Sequence, residues 1–132
     1  MSFASDLRRF RARVEGAHND LVRAVEIELF RGVIMDSPVD TGRFLGNWQT
    51  SITTPAAAVL DTLDPSGSAT VGAMTAFVST LEGGRVTYLA NNLPYAERLE
   101  YGWSKKAPQG MVRRNMARVQ RNVQAQAARH RI

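Results

Sequence analysis

The first 35 residues carry apolar side chains at every third or fourth position, and this spacing constrains the fold more than any other feature of the sequence. It predicts one helix over residues 5–35, capped by Ser5 and ended by residues 36–38, where a proline follows. Such a helix is about 45 Å long, so we expect part of its stripe to pack on another chain. The heptad-like first half is too short to specify a coiled coil, and a helix packed across a sheet is the simpler interpretation. The stripe consists of Phe3, Leu7, Phe10, Val14, Ala17, Leu21, Val25, Leu29 and Val33.

Two later segments alternate between apolar and polar residues and predict strands. The first covers residues 43–54 and the second covers residues 85–91. Residues 55–67, between the first strand and the helix that follows it, are expected to form a loop. The residues expected to point inward are Phe44, Trp48 and Ile52 in the first strand, and Val86, Tyr88 and Ala90 in the second.

Two further helices follow from spacings of three and four residues. The middle helix covers residues 68–82, with Ser66 or Ser68 as its cap and the glycines at 83–84 as its end. The last helix covers residues 108–129, with Pro108 near its first position. Its apolar stripe consists of Val112, Met116, Val119, Val123 and Ala127.

The whole chain of 132 residues has the length of one domain, because two independent cores need more. The pattern predicts the α+β class, with a long N-terminal helix, a small and mainly antiparallel sheet, a middle helix and a basic C-terminal helix. Residues 92–110, between the second strand and the last helix, are rich in aromatic residues, proline and glycine. We expect this segment to form an interface.

Charge is distributed unevenly along the chain. The net charge is +5, yet residues 103–132 hold eight basic and no acidic side chains, which leaves −3 for the first 102 residues. This asymmetry suggests that the basic end meets an acidic surface, either nucleic acid or a neighbouring subunit. A solvated helix surface is the alternative. The basic face of the last helix is expected to consist of Arg114, Arg118, Arg121 and Arg129.

Composition argues against metal sites, cofactor sites and membrane spans. The chain has no cysteine, and His18 and His130 lie at opposite ends without an acidic partner at ligand spacing, so no metal is predicted. There is no glycine-rich phosphate loop, and no cofactor is predicted. No apolar run approaches the roughly 20 residues of a membrane span, and the arginine-rich start does not resemble a signal peptide, so we expect no membrane association.

Two acidic patterns raise the possibility of an enzyme. Asp40-Thr41-Gly42 matches the active-site triplet of aspartic proteases, but it follows a helix and a proline instead of a buried strand in a mainly β fold. A turn with Gly42 at positive φ is the preferred interpretation. Glu97 and Glu100 lie three residues apart, but ion pairing with nearby basic residues explains them better than hydrolysis. We therefore predict a protein that is not an enzyme.

Two motifs follow one another along the chain. The first consists of Pro38, Val39, Asp40, Thr41, Gly42, Arg43 and Trp48. The second consists of Asn91, Pro94, Tyr95, Ala96, Leu99, Glu100, Gly102, Ser104, Ala107, Pro108, Gly110 and Met111. In this order and spacing, over about residues 25–125, they resemble the motifs of the neck or tail-completion proteins of long-tailed double-stranded DNA bacteriophages. Lys106 stands where that family often has glutamine.

The resemblance implies a structural virion protein of the head–tail junction, assembled in the host cytoplasm. Such a protein forms a ring, of six copies rather than twelve, that joins the capsid connector to the tail. Its neighbours are head-closure or connector proteins and tail-terminator proteins, and the DNA that passes through the ring is expected as a further, non-specific contact. The alternative is a small basic nucleic-acid-binding protein that uses its arginines on phosphates.

A ring of identical subunits needs two different complementary faces. The sequence places one on residues 37–48 and the other on residues 94–111, where aromatic side chains and arginine offer binding hot spots. The interface candidates are Asp40, Thr41, Gly42, Arg43, Trp48, Tyr95, Glu100, Tyr101, Trp103 and Pro108.

Overall fold

The computed structural model describes residues 3–82, 85–102 and 104–129; the side chains of residues 3, 4, 7, 10, 11, 13, 14 and 126–129 are outside the description. The predicted α+β class is confirmed, with a two-stranded antiparallel sheet among helices. No helix in the described ranges is long and apolar enough to cross a membrane. The elements are α1 (Phe3–Met35), α2 (Arg43–Gly46), β1 (Gln49–Ile52), α3 (Ser68–Ser79), β2 (Thr87–Ala90), α4 (Ala96–Glu100) and α5 (Val112–Arg129).

Helix α1 confirms the predicted long N-terminal helix, although Ser5 lies inside the helix and does not cap it. Among the described side chains of α1, those that contact the core begin at Ile27, while Leu21 is exposed. The helix ends where predicted, and Ser37 there donates its hydroxyl to the carbonyl of Val33 at 2.8 Å. About three quarters of the length of α1 therefore precedes the first core contact among its described side chains. The stripe positions 3, 7, 10 and 14 fall among the side chains outside the description.

The predicted strand over residues 43–54 is wrong in its first half, which forms the helical turn α2. Phe44 and Leu45 are adjacent and both buried, in different core clusters. An extended strand would send them to opposite faces, whereas a helical turn after Gly42 buries both. Gly42 has φ +88°, which permits that turn. Only Gln49–Ile52 pairs as a strand.

Strand β2 is shorter than predicted, and its inward face differs. Val86 is 62% exposed and lies outside the strand. Leu89 packs in the core and pairs with Thr50, whereas Tyr88 pairs with Ser51 on the opposite face. A shift of one residue exchanges the two faces of a strand, which explains why Leu89 replaces Tyr88 and Ala90 as the core residue.

The core consists of two clusters that share three residues. Leu29, Trp48 and Leu89 pack against both clusters and join them across the sheet and α1. The first cluster is built on Phe30, Ile34, Leu45, Met74 and Val78, and the second on Val33, Phe44, Leu93, Ala107 and Met111.

Helix α3 starts at the predicted place but is capped differently. Gly67 occupies the N-cap position with φ +77° and no side-chain cap, while Ser66 accepts only a long 3.3 Å bond from the amide of Ser68. Asp64 accepts bonds from the amide and hydroxyl of Thr70, at 2.8 and 2.6 Å. The helix ends at Ser79, before the glycines at 83–84, which lie outside the described residues.

Helix α5 begins at Val112, four residues later than predicted. Pro108 lies in the preceding turn, where Gly110 has φ +78°. The buried face is also rotated from the predicted stripe: Asn115 and Val119 are buried, while Met116 and Val123 are exposed. The side chain of Ala127 is outside the description. The rotation follows from polar contacts with α1 and the residue after it, since Arg118 donates to Glu28 at 3.1 Å and Asn115 donates to Asp36 at 2.9 Å.

A candidate interaction cleft

The two motif segments meet at one surface cleft of about 560 Å³. Residues 38–44 form one wall, and Tyr95, Leu99, Ser104 and Lys106 line the other. The Lys106 ammonium donates to the carbonyl of Val39 at 2.7 Å across 67 residues of sequence. The segments therefore form one shared surface, whereas the sequence predicted two separate faces.

The first wall is a tight turn at Asp40-Thr41-Gly42. The carbonyl of Gly42 accepts bonds from the amides of Gly46 at 3.0 Å and Asp64 at 2.9 Å. A Cβ atom at Gly42 would lie 2.3 Å from the nitrogen of Pro65, so only glycine fits. The predicted positive φ is confirmed. Thr41 accepts a bond from the amide of Arg43 at 3.3 Å, and Asp40 is exposed at the rim.

The floor of the cleft is apolar and is joined to the second wall. The rings of Phe44 and Tyr95 lie 6.0 Å apart between centroids, and Leu99 packs on the same core cluster. Asn91 donates its side-chain amide to the carbonyl of Phe44 at 2.9 Å and accepts a bond from the amide of Leu93. Asn91 belongs to the second motif, and an asparagine beside a proline-containing turn is a common site of side-chain to backbone bonds.

Glu100 belongs to the protein's own scaffold, although the sequence suggested it for an interface. Its carboxylate accepts bonds from the backbone amides of Met111 at 2.9 Å, Val112 at 2.8 Å and Arg113 at 3.2 Å. These are amides at the start of α5 that have no partner within the helix. A Cβ atom at Gly110 would lie 2.3 Å from the carbonyl oxygen of Glu100, which explains the glycine. Glu100 thus caps α5 across a closed turn.

Tyr101 follows the cap and is 68% exposed. The guanidinium carbon of Arg113 lies 4.8 Å from the centre of its ring, a cation–π contact at the surface. Gly102 has φ +88° and lies close to the carbonyl of Pro108. Pro108 itself is exposed. Trp103, the neighbouring interface candidate, lies outside the described residues.

Trp48 is a core residue in this fold. Its indole N–H donates to the hydroxyl of Ser37 at 2.8 Å, and its ring meets Phe44 edge-on with centroids 5.6 Å apart. It also packs against both core clusters. A large aromatic side chain with one polar atom serves equally well in a core and at an interface, so the sequence left this choice open.

The predicted basic face of α5 is divided by contacts with α1. Arg118 donates to the carboxylate of Glu28 at 3.1 Å and to the side-chain oxygen of Asn115 at 2.9 Å. Arg114 lies 3.9 Å from the carboxylate of Asp36. Arg121 is exposed, and the side chain of Arg129 is outside the description. Arg118 therefore contacts α1 and is not part of a freely exposed basic face, because Glu28 of α1 lies opposite it.

Asp64 holds the turn that forms the first wall of the cleft. Its backbone amide donates to the carbonyl of Gly42, and the hydrogen bond from the hydroxyl of Thr70 lowers the pKa of the carboxyl group below its ordinary value of 3.8.

Among the residues that the structure describes, no group of three or more acidic or histidine side chains is arranged to hold a metal ion. Comparison of the chain with protein-family models, with curated proteins and with solved structures found no match.

Proposed function

We propose that this chain is a structural protein of the head–tail junction of a long-tailed bacteriophage, and that it forms a ring between the capsid connector and the tail. The protein is assembled in the host cytoplasm, remains in the virion and is not an enzyme. The observation that carries the proposal is the meeting of the two motif segments at one surface cleft. These are the same segments on which the resemblance rests.

The chemistry of the cleft suits contact between proteins. Its apolar floor contains Phe44 and Leu99, and its rim carries Arg43 and Lys106. Tyr95 also lines the cleft and is partly exposed, and it adds an aromatic ring with a polar hydroxyl group. Aromatic residues and arginine are enriched among the residues that contribute most to protein–protein binding.

Helix α1 supports an assembly role independently of the cleft. It is 33 residues long, about 50 Å, yet among its described side chains the core contacts begin at Ile27. Leu21 and Val22, on the preceding turns, expose apolar surface. A helix that extends beyond its own core offers a surface to neighbouring subunits.

Assembly of the purified chain tests the proposal directly. We expect light scattering and negative-stain microscopy to show rings of uniform mass when the chain is combined with the connector and tail-terminator proteins of its phage. A chain that remains monomeric in the presence of these proteins, and that joins no particle, would contradict the proposal.

A pair of adjacent lysines provides a matched test of the cleft. Lys106 lines the cleft and donates to Val39, whereas Lys105 is exposed and is not part of the lining. We expect Lys106→Glu to weaken assembly by about tenfold or more, which is the effect of about 1.4 kcal/mol. Lys105→Glu should change it by less than about twofold. Equal effects of the two substitutions would remove the cleft from the proposed interface.

A further inference from the structure

We propose that residues 55–64, here called the outer loop, are the segment that occupies the cleft of the next copy in the ring. This inference rests on the proposed ring. Two surfaces on the same chain then form one head-to-tail contact: the outer loop of one copy and the cleft of the next. Such a contact supplies the two different faces that a closed ring requires.

The outer loop has a fixed shape although it contains no helix or strand. Asn47, whose exposed fraction is 0%, donates to the carbonyl of Leu60 at 3.0 Å and accepts a bond from its amide at 2.8 Å. Gln49 donates to the carbonyl of Ala58 at 2.7 Å, and Asn92 donates to those of Ala56 and Ala58 at 2.7 and 3.0 Å. A loop ordered before binding loses less conformational entropy when it binds.

The loop turns large apolar side chains outward from this ordered backbone. Val59 is 49% exposed and Leu63 is 61% exposed, and Asp61 between them is exposed as well. Leu60 is half-buried and lines a neighbouring cavity with Trp48 and Met74, so it is less available to a partner than Val59 and Leu63. Single exposed apolar residues are common on protein surfaces. Two of them beside a carboxylate, on a loop held by three amide side chains, form a small recognition surface.

The cleft carries the complementary chemistry. Phe44 and Leu99 provide an apolar floor for Leu63, and the exposed guanidinium of Arg43 stands at the rim for Asp61. The loop does not fill the cleft of its own chain, because Leu63 remains 61% exposed and the amide of the next residue, Asp64, is bonded to Gly42. A second copy of the chain therefore provides the partner surface.

A charge exchange tests the pairing of Asp61 with Arg43. We expect Asp61→Arg alone and Arg43→Asp alone each to reduce the fraction of purified chain in rings by tenfold or more, since each places like charges together. The double variant restores the opposite charges and should recover wild-type ring formation. Arg85→Asp changes an exposed arginine outside both surfaces and should leave ring formation unchanged. Light scattering gives the ring fraction, and circular dichroism verifies that each variant is folded.

The outcomes separate this inference from the proposed function. Loss in both folded single variants and recovery in the double variant supports the pairing. If the wild-type chain forms rings but the folded single variants also form them, or the double variant does not recover, the loop–cleft contact is wrong and the ring remains. If the wild-type chain forms no ring alone or with its partner proteins, the proposed function fails and the inference fails with it.

Discussion

Two carboxylates perform the same task at different places in this fold. Glu100 accepts bonds from amides at the start of α5, and Asp64 accepts the amide and hydroxyl of Thr70 near the start of α3. In both cases the acid precedes the helix by several residues and reaches it across a glycine-containing turn. A negative charge at a helix N-terminus is favoured both by its hydrogen bonds and by the helix dipole.

Replacement of Glu100 by alanine should destabilise the protein. We expect Glu100→Ala to lower the free energy of unfolding by about 1–2 kcal/mol, because the amides of Met111 and Val112 lose their acceptor. Urea unfolding followed by far-ultraviolet circular dichroism measures the change. Glu97→Ala, on the same short helix and exposed, is the matched control and should change stability by less than about 0.5 kcal/mol. Equal losses would show that the cap has no special importance.

Asp64 should make part of the stability depend on pH. Because folding lowers the pKa of this carboxyl below 3.8, its contribution is present above that value and disappears as the pH falls through the lower folded pKa. Asp64→Asn should therefore reduce the free energy of unfolding near pH 7. The difference from wild type should shrink toward about pH 2. Urea unfolding at both pH values measures this, and a difference that does not depend on pH would contradict the assignment.

At the scale of elements, α1 and α5 pack through a polar seam. Asn115 is buried against Gly32, donates to Asp36 and accepts a bond from Arg118. Glu28 accepts from both Arg118 and Asn122. Buried polar groups of this kind specify one helix register, since a shift would leave them without partners. This seam is the reason that α5 turns Met116 toward solvent.

The seam requires glycine at residue 32. A Cβ atom there would lie 2.0 Å from the side-chain oxygen of Asn115, which is buried and hydrogen-bonded and so has little room to move. We expect Gly32→Ala to lower the free energy of unfolding by about 1–3 kcal/mol. Gly16→Ala, in the same helix with no atom within 4 Å of the new Cβ, should raise it by about 0.5–1 kcal/mol. Urea unfolding of both variants measures the two changes in the free energy of unfolding. If helix propensity alone determined stability, both substitutions would raise it, and the predicted opposite signs would not be seen.

At the scale of the whole molecule, the two core clusters are joined by residues that they share. Leu29, Trp48 and Leu89 pack against both, so neither cluster is complete without the other. The cleft lies beside the second cluster, and the outer loop lies over a cavity lined by Trp48 and Met74 from the first. Both proposed contact surfaces therefore depend on the same core.

This sharing predicts a single unfolding transition. Far-ultraviolet circular dichroism, which follows the helices, and near-ultraviolet circular dichroism, which follows the aromatic packing, should give coincident urea curves. Curves with separate midpoints would mean that one cluster unfolds before the other. Such a result would contradict the role of Trp48 as the residue that joins them.

The sequence by itself determined the features that depend on neighbouring residues. The length of α1, the position of α3, the turn at Gly42 and the α+β class all follow from helical spacing or from local turn chemistry. Helical spacing is reliable for α1 because its periodic apolar residues extend over many turns. The spacing in residues 43–54 is short, and there it indicated a longer strand than the fold contains.

Only the tertiary structure decided the features that depend on distant partners. Phe44 and Leu45 form a helical turn because two separate clusters receive them, and Leu89 points inward because of its pairing with Thr50. The start of α5 depends on Glu100, and its orientation depends on the acids of α1. The cleft itself joins Val39 to Lys106, and no local pattern records a contact between residues so far apart in the chain.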